Sequence, residues 1–118
     1  MRLTAATARE LAFEAGLFAA GAAELALCHR HALALTALLL VTALCSLAFW
    51  RQSHLVWIYV LGGIIGPCGE IFGVLGGAWQ YAEPAFLGIP LWLPFAWGLA
   101  AVLVKTTADT VQKLAARP

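Results

Sequence analysis

Hydrophobic and polar positions along this chain fall in long blocks. Four apolar runs lie at about 11–28, 32–50, 55–80 and 85–104. They are parted by three short polar stretches: Cys28-His29-Arg30-His31, Arg51-Gln52-Ser53-His54 and Glu83-Pro84. A helix crosses the hydrocarbon of a bilayer with about 20 mostly apolar residues. Each run is near that length, so the pattern predicts four membrane helices.

The runs differ in character. The first, LAFEAGLFAAGAAELALC, is alanine-rich and holds Glu14 and Glu24. On a helix, Glu10, Glu14, Leu17, Gly21, Glu24 and Cys28 share one stripe, because steps of four and three return to the same face. The second, Ala32 to Trp50, has no charge at all and reads as a plain spanning helix. Its Thr36, Thr42 and Ser46 would bond to their own helix carbonyls or to a neighbour. In the third, Gly62, Gly66, Gly69, Gly73 and Gly76 line one stripe. Such a stripe lets another backbone approach closely. Pro67 removes one N–H near mid-span, which predicts a kink. In the fourth, Pro90 and Pro94 interrupt the early turns, so regular helix should start near one of them. After Lys105 the chain turns polar, and Val111 and Leu114 would keep a short surface helix going.

The fold expected is therefore all-α: a transmembrane four-helix bundle in a single domain, residues 1–118. Lys and Arg set its orientation. With four spans, Arg2, Arg9, Arg51, Lys105, Lys113 and Arg117 share one side, and Arg30 stands alone on the other. With the first run lying on the surface, the split becomes nearly even. The excess of positive charge on cytoplasmic loops selects four spans with both termini cytoplasmic, in the bacterial inner membrane. Trp50, Trp57 and Tyr59 then sit near the inner interface, and Trp79, Tyr81 and Trp92 near the outer one.

Composition narrows the partners. The chain is 63% hydrophobic and 11% charged, against roughly 25% charged in soluble domains. The lipid bilayer is the first partner expected. A net charge of +1 offers no basic surface for nucleic acid. Cys28, Cys45 and Cys68 match no zinc or redox spacing. His54 should lie opposite His29 and His31, so no metal site is expected, and no cofactor motif occurs. The first residues do not make a clean signal peptide.

The candidate chemistry rests on Glu70, set between glycines in the third run. An ionisable residue inside a span is expensive and marks a site. Glu24 and Glu70 should lie at depths that agree within roughly 5 Å, from the helical rise per residue. If their stripes faced each other, the pair would share a proton, bind a cation or act as acid and base. The alternative is that each glutamate is structural and bonds a carbonyl freed by Pro67, Pro90 or Pro94. Trp79, Tyr81, Trp92 and Trp97 cluster beside the proline-rich start of the fourth run. They would anchor the interface, or wall a site for an apolar or cationic ligand.

Glu70, Gly77, Trp79, Tyr81, Gly88, Pro90, Trp92, Pro94 and Trp97 together form the string E…GxWxY…GIPxWxP..W. It resembles a pattern of uncharacterised bacterial multi-pass membrane proteins. It is faintly similar to the integral-membrane carotenoid-modifying proteins, in which a glutamate precedes a Gly/Tyr-rich turn and a Pro-rich span. The likeness covers about the C-terminal half. In architecture the chain is also similar to the small multidrug resistance transporters, with four short spans and a glutamate in the first.

Three function classes stay open on these residues. The leading one is a small multi-pass membrane protein that binds an apolar or amphipathic ligand at the Glu70 site. The second is a proton-coupled transporter using Glu14, Glu24 or Glu70. The third is a membrane enzyme acting on isoprenoid or lipid substrates, with Glu70 as acid/base. Four short helices barely enclose a ligand, so a homo-oligomer is one arrangement to expect.

Overall fold

The computed structural model of the chain describes residues 3–116, so Arg2 and Arg117 of the charge count, and Pro118, lie outside the described residues. Four helices account for most of it: α1 (Ala5–Cys28), α2 (Ala32–Trp50), α3 (Ser53–Leu75) and α4 (Leu93–Ala115). Local signals set their ends. Thr4 caps α1, its side chain accepting from the Thr7 N–H at 3.2 Å, which satisfies a donor that the first turn leaves free. Arg51 closes α2 in the left-handed region at φ 52° and donates its N–H to the Leu47 carbonyl. The following turn is short, so α2 and α3 are antiparallel neighbours in sequence. α3 runs through Pro67 without a break. α4 starts at Leu93 with Pro94 in its first turn, where a missing N–H costs nothing.

Two boundaries differ from the apolar runs. α3 ends at Leu75, and residues 76–92 form an irregular segment before α4. Within it, Phe86 and Ile89 exchange backbone hydrogen bonds of 3.2 and 2.9 Å around Leu87-Gly88. Both central residues have positive φ, 48° and 81°, the mark of a type I′ hairpin turn. A side chain on Gly88 would also come 2.6 Å from Cγ1 of Val74. The turn plants Ile89, fully buried, against the bundle. At the other end, α4 continues past Val104 to Ala115 as one helix, through Val111 and Leu114.

The bundle is up-down-up-down. Glu24 meets Thr42 and Phe13 stacks on Phe49, so α1 and α2 are antiparallel. Glu14 meets Thr110 and Gly21 faces Leu99, so α1 and α4 are antiparallel too. α4 is the central element, packing on α1, α2 and α3, whereas α3 packs chiefly on α4. The N-terminal end of α1, the α2–α3 turn and the C-terminal end of α4 gather at one end of the bundle. α3 and α4 approach closest where small residues meet. A side chain on Gly62 would lie 3.0 Å from the Trp97 carbonyl, and one on Gly98 would lie 2.8 Å from the Tyr59 carbonyl. This is small-residue packing as membrane helices use it.

The core is thin: Leu17, Leu35, Leu39, Ala43 and Leu99 form its cluster. Large apolar side chains cover the outside instead, among them Leu33 at 77% exposed and Phe72 at 76%. A soluble protein does not show so large an apolar surface. α1, α2 and α3 are each long and apolar enough to cross a membrane. The long axis of the molecule is 49 Å, against about 40–45 Å for a bilayer with its headgroups. The protein is a helical membrane-protein bundle.

Candidate functional site

Glu70 sits five residues before the end of α3, and the chain that follows folds back over it. The glycines after Leu75 allow that reversal, with Gly77 at φ 78°. The return brings two donors to one carboxyl oxygen. Trp79 donates its indole N–H to Glu70 Oε2 at 2.9 Å, and Tyr81 donates its hydroxyl to the same atom at 2.8 Å. Indole is a donor only, so Oε2 is an acceptor in this arrangement. Glu70 Oε1 takes no hydrogen bond from the described residues.

Aromatic packing fixes these donors. Tyr81 meets Trp92 edge to face, ring centres 6.4 Å apart at 89°. The Trp79 ring lies over Gly73, and the Trp97 ring lies over Gly66. A methyl group at either glycine would overlap the ring above it. The glycine stripe therefore works partly as expected. Gly62 admits the α4 backbone, but Gly66 and Gly73 are seats for indole rings, and Gly69 faces open space. Burial, and then the bond to Glu70, push the Tyr81 hydroxyl up to about 12.

Below this cluster runs a groove of about 860 Å³ between α3 and α4. Glu70 and Trp79 line one end, and Ile58 and Lys105 the other. Twelve residues of α3 separate Glu70 from Ile58, about 18 Å at the helical rise. The wall between is apolar or glycine, including Leu61, Ile65, Ala101 and Val104. Ile65 and Val104 are about two-thirds exposed, at 67% and 69%, so the groove opens sideways, where lipid would lie. At the far end, Lys105 is held by Asp109 at 2.6 Å, one turn along α4.

The expected site residues thus divide. Glu70, Trp79, Tyr81, Trp92 and Trp97 come together around the start of the groove. Glu24 and Glu14 do not join them. Glu24 Oε1 accepts from Thr42 on α2 at 2.6 Å. Glu14, 3% exposed, accepts from Thr110 on α4 at 2.7 Å. Each of the three glutamates has its own partners, and the shared proton between Glu24 and Glu70 is not built. Residues that the sequence pattern passed over are Thr110, Lys105 and Asp109, all on the polar half of α4. A polar residue at matching depth on the next antiparallel helix was the available signal for Thr42. For Thr110 there is none, since it lies beyond the apolar run that ends at 104.

Set against protein-family models, curated proteins and solved structures, the chain matches none of them.

Proposed function

We propose that this is a multi-pass protein of the bacterial inner membrane, with both termini cytoplasmic, that binds an amphipathic ligand in the α3–α4 groove. One observation carries the reading. Glu70 is held by two donors on Oε2, at the end of a long apolar groove open to lipid, with Oε1 left as an acceptor. A carboxylate presented this way suits a head group with N–H or O–H donors, and a cationic head most of all. The apolar wall suits a hydrocarbon chain, whose burial contributes about 25 cal/mol per Å² removed from water. Trp79 and Trp97 flank the junction of head and chain, and their ring faces attract a cation. The charge asymmetry of Lys and Arg supports the orientation.

The test is extraction of the purified protein with organic solvent and mass spectrometry of what comes out. The expected result is an amphipathic molecule enriched over the bulk lipid and depleted in Glu70→Gln. An extract that matches the surrounding membrane, identical for both proteins, would overturn the reading.

A further inference from the structure

The opposite end of the bundle holds a second built site. A polar pocket of about 440 Å³ opens beside the N-terminal part of α1, the α2–α3 turn and the C-terminal part of α4. Glu10, Glu14 and Asp109 line it, with Lys113 as the single lysine in the wall. Glu10 and Glu14 converge on one hydroxyl: Thr110 Oγ1 lies 3.3 Å from Glu10 Oε2 and 2.7 Å from Glu14 Oε1. Lys113 reaches Glu10 Oε2 at 3.4 Å, from a side chain 55% exposed. Asp109 is already engaged by Lys105 at 2.6 Å.

Glu14 is the residue left wanting. It is 3% exposed, and its Oε2 is buried with no hydrogen-bond partner among the described residues. A buried carboxyl oxygen without a donor is costly, more so than a neutral polar atom. Thr110 cannot relieve it, because its one hydrogen is already shared among Glu14, Glu10 and the Thr106 carbonyl. Glu14 lines the pocket, and the last torsion of a glutamate is soft. Lys113 reaches Glu10, so what Glu14 lacks is a positively charged donor of its own.

We propose that this pocket binds a small primary ammonium ion, whose N–H groups donate to Glu14. The chemistry selects that class. Among the described residues no three His, Cys, Asp or Glu side chains gather to hold a metal. At about 440 Å³ the pocket is many times the roughly 30 Å³ that one water occupies, so it has room for a small organic cation. The Trp50 ring forms one wall, and aromatic faces attract cations. The Gln52 and Gln112 side chains supply neutral hydrogen-bonding groups at the rim. The site lies at the other end of the bundle from Glu70, so it stands or falls apart from the groove.

The experiment follows thermal unfolding of the full chain in detergent, titrated with ethylammonium chloride at constant ionic strength. Tetramethylammonium chloride, which has no N–H, is the control. Ethylammonium should stabilise saturably, and tetramethylammonium should not. Glu14→Gln should weaken ethylammonium by about tenfold or more, the worth of one charge-assisted hydrogen bond. Glu70→Gln should leave this binding unchanged. Lys113→Ala, at an exposed position, removes the competing cation and should tighten binding even if the Glu14 variant does not fold. Equal effects of the two ammonium ions would overturn the proposal. So would ethylammonium binding that ignores both Glu14 and Lys113, or its absence.

Discussion

Replacing Glu70 in two ways separates its structural role from its role in the groove. Trp79 and Tyr81 both donate to the one oxygen Oε2. Glutamine keeps a carbonyl oxygen with two lone pairs at that place, so both donors stay seated. What changes is the other atom: the acceptor Oε1 becomes an NH₂ donor. The fold of Glu70→Gln should therefore weaken only by the difference between a charged and a neutral acceptor, about 1 kcal/mol. Binding of a cationic amphiphile should fall much further. The loss of its charge-assisted bond is about 1.5–3 kcal/mol, or roughly 10- to 100-fold in Kd.

Alanine removes the acceptor outright. The Tyr81 hydroxyl, half-buried, then has no partner, a cost of about 1–3 kcal/mol. Trp79 is 46% exposed and can turn to the interface, so its share is smaller. Glu70→Ala should thus be less stable than Glu70→Gln by about 2 kcal/mol. Reversible unfolding in mixed detergent micelles measures the stabilities, and Trp fluorescence titrated with a long-chain alkylamine measures the binding. Two variants of equal stability would refute the seating of Trp79 and Tyr81 on Glu70. A glutamine variant that binds the alkylamine like the parent would refute the role of Oε1.

Reporter fusions after Arg30 and after Glu83 should read as periplasmic, and fusions after Arg51 and Pro118 as cytoplasmic; a cytoplasmic signal after Arg30 would remove α1 from the membrane. Gly98→Ala places a methyl 2.8 Å from the Tyr59 carbonyl, whereas a methyl at Gly69 meets nothing within 4 Å. The first should cost about 1–3 kcal/mol by overpacking and the second almost nothing, as read by thermal unfolding in detergent. Thr42→Val removes the donor to Glu24, whose other oxygen is already buried and unpartnered. It should destabilise by about 1–3 kcal/mol, and a Thr42→Ser variant should recover most of that. Tyr81 is pushed up to about 12 from an unfolded value of about 10. Its stabilising share is therefore whole below about pH 10 and drains away as pH rises toward 12. In ultraviolet titration the step belonging to Tyr81, identified by its loss in Tyr81→Phe, should move earlier in Glu70→Gln.

How much of this could be read from the chain depends on the residue. α2 was legible throughout, because an uncharged apolar run between two polar turns has no other stable form in lipid. The α1 stripe was legible as a stripe, and Glu10, Glu14 and Glu24 do face protein. A helical face does not say which helix lies opposite, however, and the partners turned out to be Thr42 and Thr110 rather than Glu70. Parts of residues 76–92 have the hydropathy of a span because they are apolar. Hydropathy does not distinguish a helix from a loop that is packed on one, and the positive φ at Leu87 and Gly88 has no signature in an apolar count. The rings over Gly66 and Gly73 escaped for a related reason. Trp79 reaches Gly73 only because the chain reverses after Leu75, and no pattern within α3 records that reversal.

The polar half of α4 links the two sites to the architecture. Judged by hydropathy, α4 falls short of the three helices that are apolar enough to cross a membrane. It nevertheless packs on each of them. A central helix is screened by its neighbours, so it can carry groups that a lipid-facing helix cannot. Toward α1 it turns Thr106 and Thr110, both buried, and each hydroxyl bonds back to a carbonyl one turn earlier. Toward the groove it turns Ala100, Ala101, Val104, Lys105 and Ala108. Lys105 and Asp109 neutralise each other one turn apart, so α4 adds little net charge where its two faces meet. The same helix thereby walls an apolar groove on one side and supplies the Thr110 hydroxyl to a buried glutamate on the other. A substitution in the α4 face at Ala101 should disturb only the groove, and one at Thr110 only the polar pocket. Coupled loss at both sites from either change would mean that α4 shifts as a rigid body, and that the two sites answer to one another.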